Sequence, residues 1–85
     1  MTAQTSLDAH ASIDTAALRF IVMRAIRESG DVGITCDEIE IMLDMRHQTA
    51  SARIRELSLQ HRVRVIGKRA TRSGRMAQVY VAVTQ

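Results

Sequence analysis

The periodicity of this chain changes once, near residue 61, and that single change constrains its fold most. Up to Gln60 the apolar residues recur at three- and four-residue spacings; from Arg62 onward they alternate. Helices therefore come first and strands last, which predicts an α+β domain. Leu18, Val22, Ala25 and Ser29 form one helical stripe with Ile21 and Ile26 beside it, predicting a first helix over Ile13 to Ser29. Asp14 is placed to cap its start, and Gly30 to take the left-handed position that ends it. Phe20 and Met23 widen its apolar surface beyond one stripe, which marks a helix covered on two sides and offers the second side to a partner copy. A short extended link follows over 31–34. Thr35-Cys36-Asp37-Glu38 has the form of a capping box, opening a second helix over Cys36 to Leu43 with Ile39, Met42 and Leu43 inward. Asp44-Met45-Arg46 is a turn, and His47 to Gln60 a third helix packed through Ala50, Ile54 and Leu57. Val63 and Val65 alternate with Arg62 and Arg64, and Val79, Val81 and Val83 with Tyr80 and Ala82, giving two strands. Ser73-Gly74 between them is read as a two-residue hairpin turn, which sets Arg72 opposite Arg75. Such like charges repel, and an anionic partner would relieve them.

Eighty-five residues suffice for one domain with a thin core, and leave no room for a catalytic cleft between two lobes. Residues 1–12 are small, polar and without period, and are read as a flexible arm before a domain over 13–85. No apolar run approaches the roughly 20 residues that cross a bilayer. Met1 to Ser12 carries neither a basic nor an apolar segment of the kind a secretory signal needs. With a single cysteine there is no disulfide framework, and a cytoplasmic, nucleoid-associated location is the expectation.

The charge is divided unevenly along the chain. Residues 1–45 hold three arginines against eight carboxylates, a net charge of −5; residues 46–85 hold nine basic side chains against Glu56 alone, a net charge of +8. Eight of those nine are arginine. A solvated basic face would be served equally well by lysine, whereas arginine forks match phosphate and guanine edges. The basic half is therefore expected to meet a polyanion, nucleic acid first.

The order helix, short strand, helix, turn, helix, hairpin resembles the winged helix-turn-helix superfamily. The resemblance rests on Gly33-Ile34-Thr35, Glu38-Ile39, Leu43-Asp44-Met45, the run Thr49-Ala50-Ser51-Ala52-Arg53-Ile54-Arg55-Glu56-Leu57, and the strand–wing–strand region 63–83. It covers about three-quarters of the chain and is closest to small DNA-binding regulators carried by phages and other mobile elements. Where many relatives have Gly and then Leu after the third helix, this chain has His61-Arg62; histidine tolerates the left-handed region better than most residues. The resemblance implies a third helix lying in the major groove and a wing on the backbone or in the minor groove.

The residue types on the outward face suit that role: His47, Gln48, Thr49, Ser51, Ala52, Arg53 and Arg55. Gln48 can pair with adenine and Arg53 with guanine; Ala52 and the Thr49 methyl can meet a thymine methyl. Ser51 and Thr49 can equally bind phosphate, and Arg46 is placed for backbone contact. On the wing, Lys68, Arg69, Arg72 and Arg75 would reach a phosphate strand or a narrow minor groove. Each position has a plainer reading beside this one: Arg55 as solvated helix surface, Thr49 as a residue orienting the helix start, Arg62 and Arg64 as strand surface.

Other chemistry is thin. His10, His47 and His61 have no metal-ligand spacing, so no metal or other cofactor is expected. Cys36 in the first turn of a helix would have a lowered pKa and could serve as a redox switch, but a small core residue is the plainer reading. No phosphate loop or nucleophile–base pair is present, so an enzyme is not expected. The expectation is a sequence-specific regulator binding double-stranded DNA as a homodimer through helix 1. The alternative is a winged-helix module or inhibitor that docks on a protein complex, with the acidic half as its working face; non-specific DNA or RNA architecture is a lesser one. Operator sequence, direction of regulation and controlling signal are not legible.

Overall fold

A computed structural model describes the backbone of residues 3–84 and the side chains of 15–84. Three helices and a three-stranded antiparallel sheet make an α+β fold: α1 (Ala3–Glu28), a 3-10 turn (Gly30–Val32), β1 (Ile34–Thr35), α2 (Cys36–Leu43), α3 (His47–Leu59), β2 (Val63–Ala70) and β3 (Met76–Ala82). Helix α1 begins ten residues before the expected Ile13, so the arm expected over residues 1–12 is helical from Ala3 and Asp14 is not its cap. The segment lacks period, but it also lacks Gly and Pro and contains Ala3, Ala9 and Ala11, so nothing in it interrupts a helix.

The core is assembled where the helical stripes converge. Val22, Met23 and Ile26 of α1, Ile34 of β1, Ile39 of α2, and Ala50, Ile54 and Leu57 of α3 pack with Val63 of β2. One expectation about helix faces needs correcting: Met42, expected inward, is 60% exposed. Ile39 and Leu43, four residues apart on α2, take the inner face between them, and Met42 falls at its edge.

Both short connections between elements end in left-handed residues that are not glycine. Asp44 (φ 52°) closes α2, with the Met45 N–H reaching the Glu40 carbonyl at 2.9 Å. His61 (φ 59°) closes α3 as the residue pattern anticipated. The Arg62 N–H bonds the Leu57 carbonyl at 2.9 Å and the His61 N–H bonds that of Ser58 at 3.0 Å. These are the paired bonds of a Schellman ending, and they satisfy carbonyls that the helix leaves open.

The sheet order is β1-β3-β2, so β3 is central. Its valines and its Tyr80 and Ala82 are accordingly covered on both faces, Val79 and Val81 fully and the other two partly. Val79 and Val81 lie against Gly33, where a Cβ would come within 2.5 Å of Val79 Cγ1 and 2.9 Å of the Tyr80 carbonyl oxygen. Only glycine fits there, at φ 75°. In β2 the register shifts between Val65 and Gly67, leaving Ile66 as the extra residue of a bulge. The bulge reverses the alternation: Arg69, opposite Ala77, now shares a face with Val79 instead of with Val63.

Candidate nucleic-acid interface

Helix α3 starts without help. Its N-cap position, Arg46, makes no side-chain cap bond, and its first turn holds no acidic residue. Arg46, His47, Gln48, Ser51 and Arg55 are exposed along it, while Thr49 and Ala52 are half-buried. Ser51, Arg55 and Ser58 line one wall of an open cleft of about 430 Å³, and Tyr80 of β3 and Cys36 form the other. The register puts Lys68, Gln78 and Met76 on the same sheet face as Tyr80. The exposed side of α3 and Tyr80 of β3 thus border a common concavity. Among the described residues Arg46, Arg55, Lys68 and Arg75 form no ion pair, and all four are exposed.

Three of the expected DNA-contacting arginines are used inside the protein. Arg53 was expected outward, toward a guanine, but its side chain is only 14% exposed. It donates from Nη2 to Glu56 Oε2 at 2.9 Å, while Arg19 of α1 donates to Glu56 Oε1 at 3.1 Å. Its Nε is buried without a partner. Residue 53 precedes Ile54 at the edge of the buried stripe, and the carboxylate bridging α1 to α3 draws it inward. Burial would raise the Glu56 pKa, but Arg53 and Arg19 outweigh that and hold it below its ordinary value.

Arg69 and Arg72 are bound to the start of α2. The expected capping box is present: Thr35 Oγ1 accepts the Glu38 N–H at 3.1 Å, and Glu38 Oε1 accepts the Thr35 N–H at 2.9 Å. Arg69, brought to this side by the bulge, donates to both Glu38 oxygens at 2.8 and 3.0 Å and to the Val32 carbonyl at 2.6 Å. Burial pushes the Glu38 carboxyl up, but the Thr35 N–H and Arg69 prevail and lower it. Arg72 does not face Arg75. The hairpin loop takes three residues, Arg72, Ser73 and Gly74, with Gly74 at φ 86° and the Thr71 N–H bonded to the Arg75 carbonyl at 2.8 Å. Released from a cross-strand position, Arg72 donates from Nε to Asp37 Oδ1 at 2.9 Å and remains 62% exposed. That bond lowers the Asp37 pKa.

Cys36 also departs from expectation. Its pKa is pushed up to about 12, first by burial and then by the carboxylates of Glu40 and Asp37, which outweigh the pull of the helix start. Its Sγ lies 3.3 Å from Glu40 Oε2 and 3.9 Å from His47 Nδ1, and His47 Nδ1 lies 2.9 Å from the same Glu40 oxygen. One cysteine among three histidines without ligand spacing does not by itself mark this cluster in the sequence. Its signal was a Cys and a Glu four residues apart on one helical face, followed by a His just past the turn.

No family model, no curated protein and no solved structure matches this chain. Among the described residues, no helix is long and apolar enough to cross a membrane.

Proposed function

We propose that this protein is a winged helix-turn-helix module that binds double-stranded DNA as a sequence-specific transcriptional regulator in the nucleoid. One observation carries the reading: Arg55 lines the cleft between α3 and Tyr80, and Arg46 on α3 with Lys68 and Arg75 on the hairpin are further exposed cations, none of the four in an ion pair among the described residues. Unpaired surface arginine gains most from phosphate, since it gives up no internal ion pair on binding. In this reading α3 enters the major groove by its open end, with Gln48 and Ser51 toward the bases and Arg46 on the backbone. Lys68 and Arg75 follow a flanking phosphate strand. Arg53 holds α3 against α1 and does not read bases.

The apolar surface supports a homodimer. Phe20 is 64% exposed, and Ile21 and Met42 line one shallow cleft with Leu43. A module of this size buries little surface on DNA, and two half-sites supply the missing affinity. The same patch is the observation that favours docking on another protein, the alternative reading. Selection from a random duplex pool by purified protein, at two salt concentrations, separates them. An enriched palindromic motif with steep salt dependence is the expected result. The absence of enrichment at physiological salt would overturn the DNA reading.

A further inference from the structure

We propose that Cys36, Glu40 and His47 form a binding site for one divalent transition-metal ion, Zn²⁺ foremost. The three donor atoms, Sγ, Oε2 and Nδ1, make a triangle with edges of 3.3, 3.9 and 2.9 Å. Zn–S, Zn–N and Zn–O bonds of ordinary length at tetrahedral angles give edges of about 3.4–3.6 Å. Shifts of a few tenths of an ångström therefore convert one triangle into a face of the other. Mixed sulfur, nitrogen and oxygen donors suit zinc and its neighbours and not magnesium or calcium.

The site is built on firm elements. Cys36 and Glu40 are one turn apart on α2, and His47 is the first residue of α3, so ligands come from both sides of the turn. Without metal the thiol and imidazole can both hydrogen-bond to the same Glu40 oxygen. An ion would replace these bonds at one centre, with the thiol proton leaving to solvent. The carboxylate of Asp37, beside the site, is paired with Arg72 at 2.7 Å. Arg72 Nη2 lies 3.7 Å from the other Glu40 oxygen. Thr71, Ser73 and Met76 border the open cleft of about 330 Å³ that Cys36, Glu40 and His47 line, leaving space for a water as fourth ligand. This inference does not depend on DNA binding.

Titration of the chelator-treated full chain with Co²⁺, followed by absorbance, tests it. The expected result is one equivalent bound with a thiolate-to-cobalt charge-transfer band and tetrahedral visible bands, both bleached by Zn²⁺. Cys36→Ser should abolish the charge-transfer band. Glu40→Gln and His47→Gln should each weaken binding at least tenfold. His47 is 70% exposed, so that variant keeps its fold, checked by circular dichroism. No charge-transfer band at millimolar Co²⁺ would overturn the site, and so would a band that survives His47→Gln at undiminished affinity.

Discussion

The starts of α2 and α3, where Cys36 Sγ lies 3.9 Å from His47 Nδ1, are built in opposite ways. Helix α2 carries a complete capping box, two acids in its first turn and two arginines from the hairpin bound to them. Helix α3 has no side-chain cap, no acid in its first turn, and exposed Arg46 and Gln48 at its start. The first satisfies its own N–H groups and neutralises its own charge. The second has no side-chain cap and no acid of its own; Glu40 of α2 lies 2.9 Å from His47 at its first residue, and Arg46 and Gln48 stay exposed beside it. Net charge along the sequence does not reveal this difference, because Arg69 and Arg72 count toward the basic half while serving the acidic one.

The largest effect should come from reversing charge on the open side. Arg55→Glu should weaken duplex binding at least tenfold, about 1.4 kcal/mol or more, and leave the urea unfolding midpoint unchanged. Fluorescence anisotropy and denaturation on the same preparation check both halves. The closed side should respond in the converse manner. Thr35→Ala removes the cap and should cost about 1–2 kcal/mol of folding stability, measured by urea denaturation, with DNA affinity unchanged under conditions where the protein stays folded.

Acid should loosen the internal ion pairs. The Asp37, Glu38 and Glu56 carboxyls are held below their ordinary values of 3.8, 4.5 and 4.5. Their stabilisation is therefore present above those ordinary values and is lost as pH falls below them through the depressed ones. The melting temperature should drop as pH falls from about 5 to about 3, and drop less steeply in Arg69→Gln. The smallest effect expected is a gain: His61→Gly should raise stability by about 0.5–1 kcal/mol, because glycine carries no penalty at φ 59°. A loss on that substitution would mean that the histidine ring makes a contact worth more than the strain.

Much of this was legible in the residues because it depends on neighbours in sequence. The capping box needs Thr35 and Glu38 alone, the α3 stripe needs only the spacing of Ala50, Ile54 and Leu57, and the left-handed ending needs only His61. What escaped reading depends on distant partners or on one-residue slips. Arg53 turns inward because Glu56 also holds Arg19, far away in the chain. Arg69 meets Glu38 only because Ile66 is extra in β2, and Arg72 meets Asp37 only because the loop has three residues instead of two. The early start of α1 escapes for another reason: a segment without apolar period still forms helix where no Gly or Pro interrupts it.

In the proposed function the arginines divide into two sets, open ones for phosphate and closed ones for the fold. The salt dependence of duplex binding should separate them when compared among Arg46→Gln, Arg55→Gln, Arg53→Gln and Arg69→Gln. Each of the first two should lower the slope of log affinity against log salt by about 1, while the last two should leave it unchanged in folded protein. Equal slopes for all four variants, or a slope lowered by Arg53→Gln and not by Arg55→Gln, would contradict that division.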